Sequence, residues 1–285
     1  MNKDSLLSLW QYPIPQHLVS RLMGVVANST TPAIRDPFLN WFAARYGVDM
    51  SEAQQEDLRA YHSFNEFFTR PLKPGARPVD TDARSIVSPA DGAISEIGTI
   101  RAGSILQAKG YSYSATTLLG GDESRAAAFA DGHFITVYLS PKDYHRVHMP
   151  LAGTLREMIY VPGRLFSVNT RTANGVPGLF ARNERVVCIF DTVAGPMALV
   201  LVGAIVVAGI ATVWSGTVTP PHRRLEATVF AGGRSPVALD KGVEMGRFLV
   251  GSTAIVLLPA GAARWHAHLK SGAPLRMGES IGTLA

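Results

Sequence analysis

Cysteine is nearly absent: Cys188 is the only one in 285 residues, so no disulfide can form within the chain, which suits a reducing compartment. Its place in the run Val186-Val187-Cys188-Ile189-Phe190 predicts a small buried hydrophobe rather than a reactive thiol. Long Lys/Arg runs are missing as well, as are helix-turn-helix and RNA-binding signatures, so the formal charge of +5 points away from nucleic acid and toward an anionic lipid surface. No secretory signal is recognisable. The apolar stretch Leu6 to Trp10 is short, Pro13 and Pro15 follow it, and no small-residue cleavage site is present, so the protein is expected to stay where it is made. Neither a fixed-period repeat nor a low-complexity linker divides the chain into equal halves.

Charge itself is absent from Thr192 to Pro221, which contain no Asp, Glu, Lys or Arg. Val193 to Trp214 is long enough to cross a bilayer as a helix. Against that, Gly195, Pro196, Gly203 and Gly209 interrupt it and Val and Ile dominate it, which favours two buried strands joined through a glycine bend. With 47% hydrophobic residues, the chain can fill a full core.

The first seventy residues carry helical spacing. Leu18, Leu22, Val25 and Val26 fall at i, i+4, i+7, i+8, and Ile34, Phe38, Trp41 and Phe42 repeat it, so two helices each present one apolar face. That face can pack on the protein itself, or, with Trp10, Tyr12, His17 and Arg21 beside it, lie in a membrane surface. Ser51-Glu52-Ala53-Gln54 and Ser63-Phe64-Asn65-Glu66 fit the capping-box pattern, and Pro71 and Pro74 keep the helix after Ser63 short. After Pro78 the texture changes to short apolar runs punctuated by glycine: Gly92 to Ile94, Phe134 to Leu139, Val186 to Phe190, Ala198 to Gly209, Val229-Phe230 and Thr253 to Leu258. The expected class is α+β, with a helical segment over residues 1–75 followed by a β-rich domain over 76–285.

Three places carry candidate chemistry. Gly251-Ser252 lies just before an apolar strand, where a chain can cut itself and keep a new electrophile; a loop-to-strand turn is the plainer reading. Ser140-Pro141-Lys142-Asp143 reads as a helix start, which puts His145 and His148 at i, i+3 on one helix face. No Cys or further ligand stands at zinc spacing beside them, so no metal is expected. Asp91, in Ser88-Pro89-Ala90-Asp91-Gly92, is a turn carboxylate opening a strand, and with a histidine and Ser252 it completes an acid–base–nucleophile set. His266 and His268 read as surface residues.

Taken together, Val250-Gly251-Ser252-Thr253, the run Asp143-Tyr144-His145-Arg146-Val147-His148-Met149-Pro150 and Pro89-Ala90-Asp91-Gly92 resemble the signatures of the phosphatidylserine decarboxylases, pyruvoyl-dependent lipid enzymes. Phe64 to Leu72 (FNEFFTRPL), Ile105 to Gly110 (ILQAKG) and Leu179 to Arg185 (LFARNER) resemble the bacterial membrane-bound form, so the likeness spans nearly the whole chain. Val250 departs from it, because that family usually has leucine before the glycine.

The resemblance implies a proenzyme in which Asp91 orients His148 and His148 deprotonates Ser252, whose oxygen attacks the Gly251 carbonyl. The resulting ester breaks by elimination, and the dehydroalanine left behind hydrolyses to a pyruvoyl group and ammonia. The products are a β chain, 1–251, and an α chain, 252–285. It also implies a Schiff base between this covalent pyruvate and phosphatidylserine, loss of CO2 to give phosphatidylethanolamine, and His145 handling the proton. A homodimer of the two-chain unit, peripheral on the cytoplasmic face of the inner membrane, is implied too. The competing readings are a serine hydrolase, which lacks a Gly-x-Ser-x-Gly elbow, a non-enzymatic lipid-binding module, and a soluble pyruvoyl-dependent amino-acid decarboxylase.

Overall fold

The computed structural model describes residues 3–108, 110–205, 209–219, 224–233, 236–249 and 252–285, with Lys3 and Ser252 described by their backbone alone. The helices are α1 (Lys3–Ser8), α2 (Gln16–Ala27), α3 (Pro32–Tyr46), α4 (Phe64–Phe68), α5 (Ala115–Leu118), α6 (Glu123–Ala127), α7 (Thr170–Gly175) and α8 (Leu179–Arg182). The strands begin with β1 (Ser85–Val87), β2 (Gly92–Thr99), β3 (Ser104–Ala108), β4 (Tyr111–Ser114), β5 (His133–Leu139), β6 (Arg146–His148), β7 (Gly153–Val161), β8 (Arg185–Thr192) and β9 (Gly195–Val202). They continue with β10 (Ile210–Thr212), β11 (Gly216–Thr217), β12 (Glu226–Val229), β13 (Ala238–Leu239), β14 (Glu244–Phe248), β15 (Ser252–Leu258), β16 (Ala263–Trp265), β17 (Pro274–Leu275) and β18 (Ser280–Leu284). Helices come first and strands dominate the remainder of the chain, as the α+β expectation requires.

Among the described residues, the largest sheet runs β12-β7-β8-β9-β15-β5-β2-β17, with β13 also on β7. Its pairings are antiparallel, and both faces of its centre are covered. Along β15, Ala254, Val256 and Leu258 enter one core cluster while Ile255 and Leu257 enter the other; Val186, Cys188 and Phe190 oppose Val187 and Ile189 along β8 in the same way. A strand buried on both faces has no use for the usual polar alternation. That explains the charge-free segment: its described residues form the end of β8, then β9, β10 and β11, with no membrane-crossing helix. Pro220, Pro221 and residues 206–208 of that segment lie outside the described residues.

The N-terminal helices build a separate aromatic cluster, in which Leu39 and Phe42 of α3 meet Tyr61 and Phe64, Phe67 and Phe68 of α4. Ser63 caps α4 as expected, its Oγ accepting from the Glu66 N–H at 3.2 Å. Ser51 starts no helix. Both its N–H and its hydroxyl turn back to Asp49 Oδ1, and Ala53 pairs with Leu72 in an isolated bridge, which holds the chain extended.

Helix α2 is turned inside out relative to a helix that packs on its own domain. It buries Gln16, Ser20 and Ala27, and it exposes Leu18, Leu22, Val25 and Val26. Its inward side is polar because it serves as a backbone clamp: Gln16 Oε1 accepts from the Leu165 N–H at 2.8 Å, and Gln11, just ahead of the helix, accepts from the Ser167 N–H at 2.8 Å. Ile34 and Trp41 of α3 are exposed as well, whereas Phe42 is buried.

Candidate active site

Ser252 opens β15 between β5 and β9, its backbone opposite Leu139 at the end of β5. Leu139 runs directly into the Ser140–Asp143 turn. The expected helix is not formed there. Asp143 Oδ2 accepts from the Ser140 N–H at 2.7 Å and the Asp143 N–H donates to the Ser140 carbonyl at 2.9 Å, closing a turn on itself. The chain then extends into β6, which pairs with β14, so His145 and His148 are carried on extended backbone rather than on one helix face.

His145 is fully buried. Its ring lies 3.9 Å from the Phe68 ring, centroid to centroid, and Nδ1 sits 2.8 Å from the Asp143 carbonyl. A backbone carbonyl only accepts, so Nδ1 carries the proton and Nε2 keeps a lone pair, buried and without a hydrogen-bond partner among the described residues. Burial pushes the imidazole pKa down to about 3, with the Arg70 charge adding to the effect and the Asp143 carbonyl opposing it. His145 is therefore neutral near pH 7 and can accept a proton at Nε2.

His148 has the same tautomer by the same argument, since Nδ1 lies 2.8 Å from the Gly242 carbonyl. Its Nε2 accepts from the Tyr144 hydroxyl at 3.1 Å. Burial lowers its pKa, against the Gly242 carbonyl and the nearby Glu244 and Asp91 charges. Burial also pushes the Tyr144 phenol up to about 12, so it remains a donor.

Asp91 immediately precedes β2, as the turn reading requires. The His148 N–H donates to the Pro89 carbonyl at 2.8 Å, which draws this loop beside β6. The Asp91 carboxylate accepts from Arg77 Nε at 2.8 and 2.9 Å, from Arg77 Nη2 at 2.5 Å and from the Met277 N–H at 2.8 Å. Among the described residues, no hydrogen bond joins Asp91 to His148; the Gly242 carbonyl orients the imidazole. Arg77 continues to Glu52 at 2.7 Å, so an ion-pair chain anchors the acid loop to the segment ahead of α4. Val250 and Gly251, and the side chain of Ser252, lie outside the described residues.

A cleft of about 480 Å³ opens alongside, lined by Asn65 and Thr69 from α4 and its cap, Thr212 and Thr217 from the β10 hairpin, and Arg247 and Leu249 at the end of β14. Leu249 is two residues from Gly251. His268 is exposed and His266 half-buried, the two rings stacked and His266 bonded to Ser280 Oγ at 2.9 Å. Cys188 is buried as expected, and burial raises its thiol pKa. Among the described residues, no group of three or more His, Cys, Asp or Glu side chains is placed to hold a metal ion.

Sequence reasoning passed over Arg77, Tyr144 and the Gly242 carbonyl. Tyr144 lies inside the Asp143–Pro150 motif, and reading Asp143 to His148 as turn plus strand would have put its hydroxyl in play. Arg77 and Gly242 left no local signal, because both reach the site through tertiary contact.

Buried imidazoles and a phenol are thus held on the segment that follows β5 and pairs with β14, in an α+β fold, an arrangement suited to acid–base chemistry. The family model described as Phosphatidylserine decarboxylase matches residues 64–283, and a second, described as PSD, matches residues 6–47. Proteins called phosphatidylserine decarboxylase proenzyme are similar throughout: one from Ectopseudomonas mendocina is 60% identical, covering 98% of each chain. Those from Stutzerimonas stutzeri, covering 99% of this chain and 96% of its own, and Bordetella avium, covering 98% and 95%, are each 58% identical. The chain belongs to the phosphatidylserine decarboxylase family.

Proposed function

We propose that the protein cleaves itself between Gly251 and Ser252 and then decarboxylates phosphatidylserine to phosphatidylethanolamine and CO2, a step of phospholipid biosynthesis. What supports this reading is that Leu139, the backbone partner of Ser252, leads into the segment that carries two Nδ1-protonated histidines, His145 and His148, in a chain similar over nearly its full length to decarboxylase proenzymes. Self-cleavage needs a base, and His148 Nε2 is one once the Tyr144 hydroxyl releases it. Asp91 supports it through its charge, while Gly242 holds the ring.

The residues fit a covalent pyruvoyl group at position 252: a strand whose next residue, Thr253, is fully buried, with His145 Nε2, unpartnered among the described residues, just after the turn alongside. Such a group supplies an electron sink for decarboxylation. The chain's own residues do the rest. His145, walled by Phe68, would take at Nε2 a proton that the substrate amine gives up and pass it to the substrate carbon after CO2 leaves, and the apolar wall keeps water from competing.

The inverted helix α2, with exposed Leu6, Leu9 and Trp10 ahead of it, supports peripheral attachment to an anionic membrane, in our reading the cytoplasmic face of the inner membrane. In this reading residues 1–75 form the attachment segment, residues 76–285 form the catalytic domain, and the 1–251 and 252–285 chains stay together as a unit that pairs into a homodimer. Mass spectrometry and CO2 release from carboxyl-labelled phosphatidylserine test the proposal. Wild type should yield two chains and labelled CO2, and Ser252→Ala neither; an intact wild-type chain that is fully active would overturn it.

A further inference from the structure

Arg70, in the run Phe67-Phe68-Thr69-Arg70, has no role in the chemistry above. It is only 3% exposed, with its guanidinium 5.4 Å from the Phe67 ring centroid. Nη2 donates to the Lys142 carbonyl at 3.2 Å, whereas Nε and Nη1 are buried with no hydrogen-bond partner among the described residues. A buried charge with idle donors is costly and calls for an anion. The carboxylates around it are engaged elsewhere: Asp91 by Arg77 and the Met277 N–H, Asp143 by the Ser140 N–H.

A third nitrogen of this region without a partner among the described residues, His145 Nε2, belongs to a ring held to the same turn. Arg70 holds that turn at Lys142 and His145 holds it at Asp143, while the adjacent rings Phe67 and Phe68 lie against Arg70 and His145 respectively. The turn follows Leu139, the partner of Ser252, and Thr69, next to Arg70, lines the cleft that also reaches Leu249. We infer that Arg70 binds a carboxylate at the active centre, namely the α-carboxylate of the phosphatidylserine headgroup. This rests on the proposed function.

The chemistry fits the discrimination required. Phosphatidylserine differs from its product by one carboxylate, and a charge-assisted hydrogen bond from a desolvated guanidinium is the strong kind. Placed there, the carboxylate departs next to His145 Nε2, so the carbon that loses CO2 faces the group that handles its proton. A second carboxylate arises when the chain is cut, the new C-terminus at Gly251, and the test separates the two sources.

Full-length self-processed enzyme, Arg70→Gln and Arg70→Lys are compared in detergent micelles. Chain masses report cleavage. Lipid capture is read as mass added to the 252–285 chain after borohydride reduction, with phosphatidylserine and with phosphatidylethanolamine. Arg70→Gln should need at least tenfold more phosphatidylserine for half-maximal capture while capturing phosphatidylethanolamine like wild type, and Arg70→Lys should recover part of the loss. Equal weakening toward both lipids, as expected if Arg70 holds only the Gly251 carboxylate, overturns the inference, as does unchanged phosphatidylserine capture. Should Arg70→Gln fail to fold or cleave, wild type decides: it should capture the carboxamide analogue of phosphatidylserine at least tenfold less readily, and equal capture refutes the inference. Failure of wild type to cleave or to release CO2 counts instead against the underlying function.

Discussion

Replacing Leu18, Leu22 and Val25 together by serine should detach the protein from membranes without unfolding it. The three side chains are 55%, 60% and 72% exposed, together just under two complete aliphatic side chains facing solvent. Transfer of a whole side chain of this kind out of water contributes about 1.5–3 kcal/mol, so the face as a whole contributes about 3–5 kcal/mol when it enters an interface. At about 1.4 kcal/mol per tenfold, vesicle partitioning should fall by roughly two to four orders of magnitude. The fold should barely respond, because the side of α2 that holds it consists of Gln16, Ser20 and Ala27, and these are untouched. Co-sedimentation with phosphatidylglycerol vesicles measures the first quantity and thermal unfolding the second. Partitioning reduced less than threefold would refute the membrane role of this face. A Tm loss beyond about 4 °C, the equivalent of 1 kcal/mol or more, would show that the face packs on protein instead.

Gly92→Ala should destabilise the protein by about 2–4 kcal/mol and slow self-cleavage, because a Cβ there would meet the Tyr138 carbonyl oxygen at 2.2 Å, pushing β2 off β5 and moving Asp91; chemical denaturation and gel analysis of cleavage report both effects, and a loss below about 1 kcal/mol would contradict the geometry. Acid should destabilise the chain through His145. Its folded pKa is depressed to about 3 from the ordinary 6.5, so the unfolded state binds the extra proton as pH falls between those values. That costs about 1.4 kcal/mol per unit below pH 6.5, and His145→Gln should flatten the slope between pH 7 and pH 5 seen by urea unfolding. Native Cys188 should resist a disulfide reagent at pH 8 and react only after denaturation, since burial raises its thiol pKa.

The strands were legible because their apolar runs are short and bounded by glycine, and the 192–221 segment could be told from a membrane span because Val, Ile, Gly and Pro suit paired strands better than a helix. Ser140 resembles a helix start without being one for a specific reason. Ser-Pro-x-Asp satisfies a helix N-terminus and a closed turn with the same side chain, and only the pairing of Arg146–His148 with β14, about a hundred residues away in sequence, decides between them. The same distinction governs the site. His145 and His148 were visible as residue types in a dense motif, but their protonation follows from two carbonyls, Asp143 and Gly242, that no pattern announces.

Asp91 shows what that difference means for mechanism. The family resemblance pairs it with His148, but its carboxylate is committed to Arg77 and Met277, and in the proposed mechanism it bears on the imidazole through charge and loop position. Arg77 then becomes the residue on which the acid loop depends. Arg77→Gln leaves Asp91 free to turn toward His148 Nδ1, and the changed contact should move the pH at which self-cleavage is half-maximal. A cleavage rate and pH midpoint unchanged in Arg77→Gln would mean that the Glu52–Arg77–Asp91 chain has no part in setting up the base.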